Sequence, residues 1–347
     1  MSPKTKQRGA FFAKLVVTTA LVYWLVKKGA LDMRALNIFL EQKWMLALDV
    51  FVFLSASVVV AAVRWMLLLR LAEVRVPFWR AVHLQFVSLF FNVVIPGNVG
   101  GDVIKALYVA REEPDEKRTT LVLIAFVERL IGLAGLVSVG LLVMTVRGPA
   151  LWQNEVFRPM ISVIALLGTG FVLAPTVLVF VMRSYGEKLE ALASGTSKLA
   201  GLVKKLVASF RLVSGRPRLL LAGLGLSMVL HGVNIVFFTM LAGSVGKQEV
   251  TLGAISTIYP IGLLSLMLPI SAAGMGVGHM AFEKLFSAVG YVHGADVFNV
   301  FFFGQIGPCI FGVIPYLALR SKEPGVEAGE ASEAKEENEE KKARTDG

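Results

Sequence analysis

Ile95-Pro96-Gly97-Asn98-Val99-Gly100-Gly101-Asp102 and Pro269-Ile270-Ser271-Ala272-Ala273-Gly274-Met275-Gly276-Val277-Gly278-His279 interrupt sequence that is otherwise strongly apolar. Each stretch follows a hydrophobic run, and each ends on an ionisable residue. Backbone without helical hydrogen bonds is tolerated at membrane depth only where protein buries it or water reaches it. Breaks of this kind, placed correspondingly in two halves of a chain, point to a binding site between the halves. The sequence therefore predicts a membrane protein whose function lies in a polar cavity between two broken hairpins.

Composition supports the membrane reading. Of 347 residues, 55% are hydrophobic and 17% charged, with a mean hydropathy of +0.68; soluble domains carry about 25% charged residues. The net charge is +10, but the tail Ser321–Gly347 holds five basic and nine acidic residues, so the body before it stands at +14. Those basic residues border apolar runs instead of forming a soluble basic domain. They fit cytoplasmic loops and anionic headgroups, and they argue against nucleic acid as a partner. The lone cysteine, Cys309, lies in an apolar run and excludes an intramolecular disulfide. It reads as a small buried apolar side chain.

Runs approaching the roughly 20 apolar residues needed to cross a bilayer cover Ala10–Val26, Met45–Val63, Thr119–Val146, Met160–Met182, Leu219–Leu241 and Asp296–Leu319. Lys4, Lys6 and Arg8 before the first run resemble a signal peptide, but Lys14 interrupts it and Trp24, Lys27 and Lys28 close it like an interfacial anchor. It is read as a retained span. Trp24, Trp44, Trp65, Trp79 and Trp152 all fall at predicted span ends, as an aromatic belt would place them.

Two further runs, Phe78–Ile95 and Leu252–Ile270, lead into the glycine stretches. Arg64, Arg70, Arg75 and Arg80 form one basic cluster, and Arg183–Arg218 holds eight basic residues. Both clusters are expected in the cytoplasm. They stay on one side only if Phe78–Ile95 enters, turns at Pro96-Gly97 and returns through Val103–Ala110. The same reasoning brings the second hairpin in from outside, returning through Met280–Val289. The loop around Lys27, Lys28, Arg34 and Lys43 goes against the charge rule.

The expected fold is an all-α polytopic membrane protein with about six transmembrane helices, two re-entrant hairpins and both termini cytoplasmic. Its halves form an inverted repeat, echoed by Phe126-Val127-Glu128-Arg129-Leu130-Ile131-Gly132 and Phe302-Phe303-Gly304-Gln305-Ile306-Gly307. Arg183–Arg218 has apolar residues at near-helical spacing opposite its lysines and reads either as a helix on an anionic surface or as a solvated linker helix. Residues 1–320 form the membrane domain, and 321–347 a disordered charged tail.

The chemistry is expected around the first hairpin. Asp102 and Lys105 share a helix face if the returning arm is helical. Gly97, Gly100 and Gly101 let backbone approach another helix or a phosphate closely. Free N–H groups at the start of that arm attract an anion, and Asp102 there competes as an N-terminal cap. Charges within a membrane require partners, so Arg129 is expected to meet Asp102, or Glu128 to meet Lys105, as part of a site or as a structural ion-pair network. His279 offers a headgroup or proton contact, or a polar contact between helices. His231 and Asn234 lie three apart and read mainly as interhelical contacts. No HExxH, GxSxG or phosphate-loop pattern and no familiar metal spacing is present. No catalytic role, cofactor or metal is expected.

Asn92-Val93-Val94-Ile95-Pro96-Gly97-Asn98-Val99-Gly100-Gly101-Asp102-Val103-Ile104-Lys105, then Glu128-Arg129-Leu130-Ile131-Gly132, then Pro269–His279, resemble the flippase-like membrane domain of lysylphosphatidylglycerol synthases, the multiple peptide resistance factor family, and its stand-alone bacterial relatives. The resemblance covers about residues 10–320, and Pro-Gly-x-x-Gly-Gly-Asp with a following basic residue is its most specific part. It implies binding or flipping of anionic or aminoacylated glycerophospholipid at the bacterial inner membrane. The headgroup site it implies comprises Asn92, Pro96, Gly97, Asn98, Gly100, Gly101, Asp102, Lys105, Glu128, Arg129, Gly274, Gly276, Gly278 and His279. Many relatives carry Gly-x-Gly-Val-Arg-Glu in the second hairpin, where Gly278 and His279 stand here. The chain ends at Gly347 without a soluble aminoacyl-transferase domain, so lysine transfer from tRNA by this chain alone is not expected. The competing expectations are an enzyme acting on lipid or polyprenyl-linked substrates, and a scaffold that recruits a lipid-synthesis enzyme through Arg183–Arg218.

Overall fold

A computed structural model describes residues 37–94, 100–153, 155, 157–192, 207–211, 215–266 and 277–321. Every regular element among them is helical. A short helix, α1 (Asn37–Glu41), leads into α2 (Lys43–Ala72), a 30-residue rod. α2 winds as α-helix over Lys43–Val52, as π-helix over Phe53–Val60 and again as α-helix over Ala61–Leu69 before a closing 3-10 turn. It stops where Glu73 takes the left-handed conformation, φ 59°. There follow α3 (Phe78–Val94), α4 (Gly100–Ala110), α5 (Asp115–Trp152), α6 (Phe157–Leu192), α7 (Pro217–Gly246), α8 (Leu252–Ser265), α9 (Val277–Ala288) and α10 (Gly294–Leu319).

Four of these, α2, the Asp115–Arg147 part of α5, α7 and α10, are long and apolar enough to cross a membrane. Ala10–Val26 lies outside the described residues. Met160–Met182 falls inside α6, which is helical throughout this uncharged apolar run. The helix then runs on to Leu192, so the segment beginning at Arg183 does not start a separate element. The rest of the expected surface helix, and the tail, fall largely outside the described residues.

The helices flanking the two glycine stretches are too short to cross alone. α3 has 17 residues, α4 11, α8 14 and α9 12; at about 1.5 Å per residue none covers the roughly 30 Å hydrocarbon core. Each pair packs as an antiparallel hairpin. Gln85 meets Lys105 while Asn92 meets Gly101. In the second pair, Gly262 lies against Phe282 and Leu266 against Gly278.

Contacts repeat when α2 is exchanged with α7, α4 with α9, and α5 with α10. Lys105 of α4 lies over the Trp65 ring of α2, at 4.8 Å, and Phe282 of α9 lies 5.2 Å from the Phe238 ring of α7. Ser57 of α2 bonds Gln305 of α10, and His231 of α7 bonds the Gly132 carbonyl of α5. The two halves are thus built on one plan with different chemistry. The second packs an aromatic core in which Phe238, Tyr259, Phe282, Phe298 and Phe301 are all buried and in ring contact. The first buries charge.

Candidate functional site

The charge cluster begins with the spacing of polar residues in α3. Gln85, Ser88 and Asn92 recur at i, i+3 and i+7 in an apolar helix, which puts them on one face. That face meets α4. The Gly101 N–H donates to Asn92 Oδ1 at 2.9 Å, and Ser88 Oγ donates to Asp102 Oδ1 at 2.9 Å. Gly101 is required here, because a Cβ would collide with the Ser88 carbonyl oxygen.

Asp102 and Lys105 share a face of α4, 3.8 Å apart. Asp102 lies in the first turn of that helix, and its Oδ2 accepts from Arg129 Nη1 at 3.3 Å. Lys105 is sealed: its side chain has no solvent exposure, and Nζ donates to Gln85 Oε1 at 2.9 Å and to Glu128 Oε2 at 3.0 Å. Glu128, itself 4% exposed, is held on its other oxygen by Arg64 at 3.4 Å. Arg64 in turn donates to Ser227 Oγ of α7 at 2.9 Å. Both pairings expected from the sequence are present at once, and a third cation joins them.

Arg64 and Trp65 depart from expectation. Arg64 was expected in a cytoplasmic loop and Trp65 in an interfacial belt. Because α2 runs nine residues beyond Val63, both lie inside the helix bundle. Trp65 is fully buried beneath Lys105. Trp44 and Trp79 are exposed as a belt requires.

The cluster is graded in exposure. Lys105, Glu128 and Arg64 form its dry interior, while Asp102 is 20% and Arg129 35% exposed. A buried ion pair is stable only with good geometry and satisfied partners. Gln85 and Ser227 supply partners to Lys105 and Arg64 Nη1, while the buried Arg64 Nε has none among the described residues. A polar path continues from Gln85 Nε2 to the Ser57 carbonyl at 3.3 Å and from Ser57 Oγ to Gln305 Oε1 at 2.9 Å.

Gly278 and His279 sit in the second half. His279 Nε2 is 3.3 Å from Asn299 Oδ1, and its ring stands edge-on to Phe298. That is the interhelical alternative, away from the Lys105 cluster. His231 reaches the Gly132 carbonyl of α5 at 3.2 Å, while Asn234 bonds the Leu230 carbonyl of its own helix. Cys309 is buried. Pro96, Gly97, Asn98, Gly274 and Gly276 lie outside the described residues, as do the turns that would line the cavity between the hairpins. Among the described residues no three of His, Cys, Asp or Glu converge as metal ligands.

A family model described as the lysylphosphatidylglycerol synthase TM region matches residues 11–295. The chain is 23% identical over 253 residues to the UPF0104 membrane protein PH1989 of Pyrococcus horikoshii, an alignment covering 67% of this chain and 74% of that protein. No solved structure matches it.

Proposed function

The chain belongs to the lysylphosphatidylglycerol synthase transmembrane-region family, and from that membership we propose that it binds anionic or aminoacylated glycerophospholipid and flips it across the bacterial inner membrane. The observation that carries this reading is Arg129. It is the one cation of the Asp102–Lys105–Glu128–Arg64–Arg129 cluster that is about one-third exposed, and it is paired with a carboxylate on a broken hairpin. Charges at membrane depth mark pathways by default, and an arginine grips a phosphate through several donors at once.

In this reading a lipid phosphate reaches Arg129 and displaces Asp102 from it. Asp102 also accepts from Ser88 and lies 3.8 Å from Lys105, so its release is felt by the buried lock of Lys105, Glu128 and Arg64. That lock ties α4 to α5, α2 and α7. Rocking of one half against the other then alternates access. The chain moves lipid and makes or breaks no bond, and its partner is the phospholipid itself.

The test is reconstitution into liposomes with fluorescent phosphatidylglycerol, comparing the wild type with Arg129→Ala, Lys105→Ala and Asp102→Asn. Translocation should fall at least tenfold in Arg129→Ala. Unchanged translocation in all three variants would overturn the assignment.

A further inference from the structure

Asp49 lies in α2, six residues from its start, and is 2% exposed. Its Oδ1 is buried and has no hydrogen-bond partner, and no ion pair reaches the carboxyl among the described residues. The carboxyl fits against Gly304 of α10, where a Cβ would collide with Oδ1. The next residue, Gln305, presents a buried Nε2 that is likewise unpartnered. Its Oε1 accepts from Ser57, eight residues along α2 from Asp49.

Among the described residues, the elements packed most closely on this part of α2 are α1, α7 and α10. Their titratable groups are engaged elsewhere or face solvent. Glu41 and Lys43 are exposed at the helix end, and Arg218 is exposed on α7. His231 bonds the Gly132 carbonyl, Asp296 pairs with His293, Cys309 Sγ donates to the Gln305 carbonyl, and Tyr316 meets the Phe91 ring edge-on. Farther along α2, Arg64 is bound to Glu128. Among the described residues no cation balances Asp49. An ionised carboxylate in such a place lacks both water and a partner, a situation that proteins resolve by neutralising the group.

We propose that Asp49 is a proton-binding site whose occupancy is coupled to movement of the first half of the molecule against the second. The inference deepens the transport reading and rests on it for that movement. Asp49 belongs to the first half and Gly304 to the second, so rocking opens or closes their contact. With the halves closed on Gly304, the carboxyl oxygen holds its proton as a neutral acid. When the halves part and water reaches Asp49, the proton leaves to that water and the carboxylate remains, solvated. A ligand shifts an equilibrium only by its differential affinity for the two states, and the packing against Gly304 supplies that difference. The path Gln305–Ser57–Gln85 runs to Lys105 from the residue beside Gly304, so the seat of Asp49 and the charge cluster answer to the same displacement.

The test is infrared spectroscopy of the purified full-length protein, comparing the wild type with Asp49→Asn, together with Ser57→Cys/Gln305→Cys oxidised to hold α2 on α10. At neutral pH the wild type should show a protonated-carboxyl stretch that is lost in Asp49→Asn. As pH rises this band should disappear, and in the cross-linked protein it should persist to a pH at least one unit higher, a tenfold change in proton affinity. A wild type without the band, or a band titrating identically with and without the cross-link, overturns the proposal. If the band behaves as expected while wild-type protein in liposomes moves no phosphatidylglycerol, the proton site stands and the lipid reading fails.

Discussion

Lys105 Nζ lies 3.0 Å from Glu128 Oε2, with the lysine side chain wholly withdrawn from solvent. The two residues come from a half-length helix and a full span, and they hold the first hairpin to the body of the protein. Removing one partner of such a pair leaves the other charge buried and unbalanced, at about 3–5 kcal/mol. Glu128→Gln leaves Arg64 without a carboxylate and Lys105 with only the more distant Asp102 at 3.8 Å, whereas Lys105→Met strands no charge, because Glu128 keeps Arg64 and Asp102 keeps Arg129. Thermal unfolding in detergent should therefore rank Glu128→Gln as the more damaging variant, with the Lys105→Met/Glu128→Gln pair recovering part of the loss. Equal melting temperatures for the two single variants would contradict this ordering.

Gly101→Ala should destabilise the hairpin by about 1–3 kcal/mol or more, since the new methyl meets the Ser88 carbonyl, a backbone atom that cannot turn aside. Gly225→Ala is the control. Nothing lies within 4 Å of its added carbon, and alanine is favoured over glycine in a helix by about 1 kcal/mol. The two substitutions should move the detergent melting temperature in opposite directions.

Arg129 lies at the exposed edge of the cluster, where its charge is less deeply desolvated than those of Lys105 and Glu128. Arg129→Ala should leave the melting temperature within a few degrees of wild type while co-purified anionic lipid, read by native mass spectrometry, falls several-fold. Arg129→Lys should restore only part of the lipid, because a point charge does not reproduce a bidentate grip. Full retention of lipid by Arg129→Ala would be the contrary result.

The hairpins are expected to enter from opposite faces. Single cysteines at Glu113 and Ser184 should react with an impermeant reagent from one side of the membrane, and cysteines at Lys247 and Val292 from the other. Labelling of Glu113 and Ser184 on different sides would be incompatible with a hairpin that turns back near Pro96.

Much of this architecture is legible in residue order alone. Helices end at Val94 and Ser265 and begin again at Gly100 and Val277, on either side of the glycine stretches that residue order singles out. The Asp102–Lys105 face and its partners Glu128 and Arg129 are readable because charges at membrane depth have few places to go. Arg64 was missed for a physical reason: a cation at the end of an apolar run looks like the end of a span, and only the partner Glu128 on a distant helix lets α2 continue past it. Gln85 and Ser88 were hidden among Val, Leu and Phe, although their spacing with Asn92 was available as a signal. Asp49 carries the same signal, a charge inside the span Met45–Val63, but its seat on Gly304, 255 residues later, is not legible in residue order.

The wide turns of Phe53–Val60 separate Asp49 from Arg64 on one continuous rod. Wide-turn segments in helices accompany functional sites and differ from their surroundings by a small shift of hydrogen-bond register. Arg64 is anchored to Glu128 and Ser227. Were those eight residues to rewind into the ordinary spiral, the anchored end would stay still while the other end lengthened and swivelled about the axis, carrying Asp49 off its glycine seat. The rod is then a crank, and its bearing is the stretch that contains Ser57.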